Sequence, residues 1–142
     1  MKIDILEKTD ISPSVQNQVS ELFKQLGGDK EQITLNELLN EKNQISLAYC
    51  SEDNVIIGIA LMCTYNVISG KKGWIEDVVV NIEHRGKGVG KKMMNKLLEI
   101  GEKKGLSEIL LFTEDHRTPA INLYSDLGFK VKNSRIYTKK TK

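Results

Sequence analysis

Apolar residues along this chain follow two periods that take turns. Lys2–Glu7 alternates weakly between apolar and polar, the period of a half-buried strand. Val15, Val19, Leu22, Phe23 and Leu26 then recur at helical spacing. Ser12 and Pro13 stand where a helix start takes a capping hydroxyl and a first-turn proline, and Gly27–Gly28 ends the run. Thr34, with Glu37 three residues on, predicts a capping box and a short second helix to about Asn40. Strand patterns return at Ile45–Cys50 and Val55–Tyr65, with Ser51–Asn54 as the turn between them. Asn66–Gly73 reads as a turn into Trp74–Val80 (WIEDVVV), which completes an antiparallel meander.

The period then switches back. Met93–Lys104 is predicted helical; Val89, Met93, Leu97 and Ile100 form one stripe, with Met94, Leu98 and Gly101 beside it. Methionines at this spacing read as core packing. Gly105 closes the helix, and the apolar run Glu108–Thr113 (EILLFT) reads as a buried strand. Thr118 caps and Pro119 opens a last helix, on which Ala120, Leu123, Tyr124 and Leu127 share a face; Gly128 ends it. Val131–Thr138 is read as a final strand or strand pair, and Lys139–Lys142 as a solvated tail.

Composition narrows the function classes. A chain of 142 residues suits a single domain, 1–142, with a core of its own. Its 39% hydrophobic and 28% charged content is that of a globular protein in water. The net charge of +2 argues against a general nucleic-acid partner. No apolar run nears the roughly 20 residues of a membrane span, and MKIDILEKTD lacks a secretory h-region. Cys50 and Cys63 lie in strand-like runs without metal-ligand spacing, so buried free thiols, no metal and a cytoplasmic location are expected.

Chemistry concentrates in Glu83–Lys92 (EHRGKGVGKK), between the strand Trp74–Val80 and the long helix. The first turn of a helix leaves about four N–H groups without intrahelical partners, at the positive end of the dipole. Glycines let the backbone approach a ligand closely, and Arg85, Lys87, Lys91 and Lys92 add positive charge. The junction is therefore expected to hold a phosphate-bearing ligand. A Walker loop would need GxxxxGK followed by Ser or Thr, and a Rossmann fingerprint GxGxxG; neither spacing is present. What fits is [QR]xxGx[GA], from Arg85 through Gly88 to Gly90.

This pattern resembles motif A of the GNAT superfamily, the acyl-CoA-dependent N-acyltransferases. A second run, Arg117–Phe129 (RTPAINLYSDLGF), resembles the superfamily's motif B through Ala120, Leu123, Tyr124, Gly128 and Phe129. The two motifs cover about Trp74–Phe129. The IEDVVV and RGKGVG runs are also similar to glucosamine-phosphate N-acetyltransferases. The resemblance implies a mixed α/β fold, with a twisted, mostly antiparallel sheet flanked by helices and splayed between its fourth and fifth strands. It implies acetyl-CoA as co-substrate, its diphosphate held by Arg85, Gly86, Lys87, Gly88, Val89, Gly90 and Lys91. Backbone groups of Val78, Val79 and Val80 would meet the pantetheine arm. Members often carry Asn three residues before the motif B alanine; Arg117 stands there in this chain, and Asn122 is the nearby asparagine on the coenzyme side.

The reaction implied is attack of an acceptor amine on the acetyl thioester. Glu76 matches the position of a carboxylate that acts on the amine as base, and Tyr124 that of the acid for the leaving thiolate. Alternation places Glu76 and Asp77 on opposite faces, and either could face the cleft. His84 and His116 read as surface residues; His116 alone has a lesser alternative reading as an acceptor-side group. The acceptor-side segments Thr9–Asn43 and Asn66–Gly73 carry no substrate signature. A small-molecule amine is the expected partner. Protein lysines or N-termini, and a non-catalytic acetyl-CoA sensor, are the alternatives. A homodimer is expected from the exposed edges of such a sheet.

Overall fold

In the computed structural model all 142 residues are described, and they divide into two compact units, Met1–Phe112 and Thr113–Lys142. The first unit begins with strand β1 (Lys2–Ile5), helix α1 (Pro13–Gly27) and the one-turn helix α2 (Leu35–Leu38). Ser12 Oγ accepts from Val15 N–H at the start of α1, and Thr34 Oγ1 accepts from Glu37 N–H at the start of α2. Then come β2 (Ile45–Glu52), β3 (Val55–Val67) and β4 (Gly70–Val80), joined by two-residue turns. The first turn is Asp53–Asn54, both at positive φ (52° and 65°), the geometry whose twist matches a hairpin. The second is Ile68–Ser69, so most of Asn66–Gly73 belongs to strands and not to a loop. Helix α3 (Val89–Lys103) follows, then β5 (Glu108–Leu110). β5 is three residues long where the apolar run suggested six, because only Lys72–Trp74 of β4 pair with it.

The five strands lie in sequence order, antiparallel except for β4 and β5, which run parallel. Register assigns each side chain to a face. Leu47, Ile59, Leu61 and Val79 join Val19 and Leu22 of α1 and Leu35 of α2 in one core. On the other face, a Cβ built on Gly58 would come 2.9 Å from Met93 and 3.0 Å from Val89, both on α3. Met93, Met94 and Leu97 are fully buried there. Burying a side chain of this size contributes roughly 1.5–3 kcal/mol. α3 is therefore amphipathic because one stripe of it seals the sheet.

Two glutamines of α1 also bond the sheet unit's backbone. Gln18 Oε1 accepts from Ile56 N–H (2.8 Å), and Gln25 Oε1 accepts from Ile82 N–H (2.9 Å).

The second unit contains α4 (Thr118–Asp126). Its cap position falls on Arg117, not Thr118, and no side chain caps it. Phe129 N–H bonds the Tyr124 carbonyl (3.0 Å) past Gly128, and the Tyr124 and Phe129 rings meet edge to face at 6.1 Å. The final strand expected at Val131–Thr138 is absent. Its apolar residues Val131, Ile136 and Tyr137 are exposed, and Ser134 N–H bonds the Lys132 carbonyl in a local turn. With four polar residues between Val131 and Ile136, the segment has no apolar face to set a register, and no strand pairs with it.

Candidate functional site

The glycine junction forms as its sequence requires. β4 ends at Val80, a 3-10 turn covers Ile82–His84, and α3 starts after Gly88. Gly86 and Gly88 lie at φ 80° and 79°, in the left-handed region that side chains disfavour. No side chain caps α3, and its first intrahelical bond is Lys92 N–H to the Gly88 carbonyl (3.1 Å). The N–H groups of Val89, Gly90 and Lys91 are left at the helix mouth, where anions are favoured. A Cβ added at Gly86 or Gly88 would meet nothing within 4 Å, so the loop is open on its outer side. Arg85, Lys87, Lys91 and Lys92 are exposed and form no ion pair, although Lys92 Nζ lies 3.7 Å from Met1 Sδ. These features fit the diphosphate of a coenzyme.

Beside the loop lies a free strand edge. β5 pairs with β4 only as far as Trp74–Leu110, and β4 continues to Val80 with no strand on that side. This is the divergence expected between the fourth and fifth strands. Asn81 N–H bonds the Ile57 carbonyl on β3 (2.8 Å). By antiparallel alternation Val79 then bonds to β3 through Ile59, and the N–H and C=O of Val80 point to the free edge. Arg85 Nε donates to that Val80 carbonyl (3.0 Å). The Val79 side chain is buried, and by the same alternation its backbone groups turn toward Ile59 on β3.

A β-bulge interrupts β4 at the same place. Leu61 faces Glu76 and Ile59 faces Val79, so Asp77 and Val78 together oppose the single residue Ala60. Asp77 takes φ 52°, a left-handed conformation. The simple alternation read from the sequence fails here. Glu76 and Val79, three apart, share the α1 face with Leu61 and Ile59. The signal was present in the residues: two adjacent carboxylates are poor strand formers, and a mid-strand Asp tolerates positive φ better than most.

Glu76 and Asp77 are exposed at their tips and have no hydrogen bond or ion pair. Burial, then the charge of Asp77, pushes the Glu76 carboxyl up from its ordinary value. Burial raises Asp77 as well, offset in part by the Lys30 ammonium. Cys63, whose backbone pairs with Trp74, is a free thiol pushed up by burial and by the Glu76 charge. Trp74 meets Phe112 edge to face at 6.2 Å, a pairing the sequence did not announce. Ion pair Lys72–Glu108 (3.1 Å) ties β4 to β5 below the divergence. Glycine loop, free edge, bulge and Glu76 thus belong to one stretch of the first unit.

Tyr124 and Asn122 lie on α4 in the second unit. Asn122 is exposed; Tyr124 is half-buried, and burial raises its phenol above the ordinary value despite the lowering effect of Arg117. His84 is less of a surface residue than its loop position suggested. Its Nε2 lies 3.8 Å from Glu52 Oε2, and its Nδ1 is shielded without a partner. His116 is exposed, with Nδ1 3.3 Å from Glu114 Oε2. No group of three or more His, Cys, Asp or Glu side chains is arranged to hold a metal ion. No helix is long and apolar enough to cross a membrane.

The chain is similar to known proteins. A mouse thialysine N-epsilon-acetyltransferase is 33% identical over 79 residues, which cover 55% of this chain and 46% of that protein. An Escherichia coli streptothricin acetyltransferase is 36% identical over 95 residues, covering 63% of this chain and 50% of the relative. The chain thus spans about half the length of the curated relatives it matches. Among solved structures, an aminoglycoside acetyltransferase from an uncultured soil metagenomic sample superposes with a TM-score of 0.84 at 20% identity, over 99% of this chain and 95% of that one. The family model for the acetyltransferase (GNAT) family matches residues 13–129, through both the glycine loop and the Ala120–Phe129 run. With that match across most of its length, the chain belongs to the GNAT acetyltransferase family.

Proposed function

We propose that the protein is an acetyl-CoA-dependent N-acetyltransferase that moves the acetyl group directly to a primary amine of a small molecule. One observation carries this reading. The uncapped start of α3 sits behind two glycines at φ near 80°, among four exposed basic side chains that form no ion pair, at the free end of β4. In this reading Arg85, Gly86, Lys87, Gly88, Val89, Gly90 and Lys91 hold the coenzyme diphosphate. Val78 and Val80 bond the pantetheine arm along the β4 edge, and Asn122 serves on the coenzyme side. The coenzyme supplies the activated acyl group.

The amine nitrogen attacks the thioester carbonyl carbon; the N–C bond forms and the C–S bond breaks. Glu76 takes the proton from the amine, directly or through water. A carboxyl raised by burial and by its Asp77 neighbour is a stronger base than an ordinary one. Tyr124 gives a proton to the departing sulfur, a role supported by the family motif; the burial that raises its phenol keeps the proton in place but makes it a weaker acid than an exposed tyrosine. Both units act as one domain, 1–142, in this account, because the family match runs through both. The activities for which the relatives are named, on thialysine and streptothricin, favour a small acceptor. The two free cysteines suit a reducing, cytoplasmic setting.

The test is a panel of polyamines, amino sugars, aminoglycosides, thialysine and lysine peptides, read by release of free CoA thiol. Turnover with one or more small amines is the expected result. Tight acetyl-CoA binding with no accepted amine would overturn the enzymatic reading, and turnover of peptides alone would overturn the small acceptor.

A further inference from the structure

We propose that Gln25 is a positioning residue for coenzyme binding, acting through the glycine loop without touching the ligand. The proposal rests on the reading of Arg85–Lys91 as the coenzyme loop. Gln18 and Gln25 are seven residues apart on α1, nearly two full turns, so they lie on nearly the same side of the helix. Each bonds one backbone N–H with its side-chain oxygen: Ile56 at 2.8 Å and Ile82 at 2.9 Å. The two bonds match in chemistry and length. They differ in what they hold. Ile56 lies at the start of β3, while Ile82 opens the turn that leads from β4 into the glycines.

That turn buries none of its side chains, and Ile82 itself is 66% exposed. Hydrogen bonds fix its path. Asn81 N–H reaches the Ile57 carbonyl (2.8 Å), Asn81 Oδ1 accepts from Glu83 N–H (3.1 Å), and the Asn81 carbonyl accepts from His84 N–H (2.8 Å). Arg85 Nε then reaches back to the Val80 carbonyl (3.0 Å). All of these bonds lie within the turn or on the sheet strands. Gln25 alone ties the turn to a helix on the α1 face. Without it the turn can pivot on Asn81, and a smaller fraction of molecules presents the Val89, Gly90 and Lys91 N–H groups in the binding arrangement. Apparent affinity falls by that fraction. The loss is bounded by the net worth of one hydrogen bond, roughly three- to tenfold in Kd.

The experiment compares Gln25→Met with Gln18→Met in the full chain, by calorimetric titration with CoA and by thermal melting. Methionine keeps side-chain length and removes the acceptor. Both variants should lose similar, small amounts of melting temperature. Gln25→Met should weaken CoA roughly three- to tenfold and speed amide exchange at Ile82, while Gln18→Met leaves CoA affinity unchanged. Gln25→Glu keeps an acceptor oxygen and should restore most of the affinity at high salt, where its added charge is screened. Equal CoA affinities in the two methionine variants would overturn the proposal. A parallel Gly88→Asp titration separates the two levels. Strong weakening there with none in Gln25→Met defeats the role of Gln25 alone, and unchanged binding in Gly88→Asp defeats the coenzyme-loop reading beneath it.

Discussion

Charge at position 88 isolates the electrostatic part of coenzyme binding. Gly88 has φ 79°, and a Cβ there meets no atom within 4 Å. Gly88→Ala therefore adds backbone strain and no clash with the protein, about 1–2 kcal/mol. In a domain of this size that is a fall of roughly 3–8 °C in melting temperature. Asn and Asp accept the left-handed region more readily, as Asp53, Asn54 and Asp77 already do in this chain. Gly88→Asn and Gly88→Asp thus share bulk and backbone cost and differ by one charge. A carboxylate about 5 Å from a phosphate charge costs about 3 kcal/mol at an effective dielectric near 20, or roughly a hundredfold in Kd. Calorimetric titration with CoA at low and high salt should show Gly88→Asp about a hundredfold weaker than Gly88→Asn, with the gap narrowing as salt rises. Equal Kd values in folded Asn and Asp variants would refute an anion held at the start of α3.

Three further expectations concern catalysis and assembly. Glu76→Gln should reduce kcat by roughly 10²–10⁴-fold with CoA affinity kept. Its folded-state carboxyl is raised, so the native state holds its proton longer than the unfolded chain does. The stabilisation is present below the ordinary carboxylate range and lost as pH rises through the raised value. Melting of Glu76→Gln should accordingly match or exceed the parent at neutral pH and converge with it in acid; a lower neutral melting temperature counts against the unpaired-carboxylate picture. Tyr124→Phe should lower kcat by a similar roughly 10²–10⁴-fold with little change in CoA affinity, and full turnover in that variant removes Tyr124 from the mechanism. Light scattering at micromolar concentrations should report a homodimer, since β1 and β5 leave sheet edges; a monomer throughout rejects it.

What could be read in the chain follows how local its causes are. The cap at Ser12, the proline at Pro13 and the stripe Val89–Met93–Leu97 are set by neighbours in sequence, and each appears as expected. The glycine loop was legible because positive φ and an uncapped helix start leave a mark in residue type. Ladder length was not. Where β4 and β5 part depends on which residues find partners, and EILLFT reads as one apolar run whether three residues pair or six. The Asp77 bulge was legible only as a hint, two carboxylates in mid-strand; its position, and with it the facing of Glu76, depends on the pairing of two strands together. The Gln25 latch joins residues 57 positions apart, and nothing in either segment signals it. Val131–Thr138 failed in the opposite sense: a strand was expected there, but Val131, Ile136 and Tyr137 share no period of two and no ladder forms.

β4, α3 and β5 make the sheet's one parallel crossover; its other strand neighbours are antiparallel. Closing such a long connection gives up chain entropy, and here three register pairs and the Lys72–Glu108 bridge are the ladder's return. β5 is then a short edge strand, expected to exchange its amide protons early when the unit breathes. Gly86–Lys91 is the opening link of the same crossover. A diphosphate gripped there resists any opening that dismantles the loop, by about 2.7 kcal/mol when the ligand stands at a hundred times its Kd. The co-substrate would then act as a folding ligand too, and amide protection of β5, some twenty residues downstream, would rise and fall with coenzyme supply.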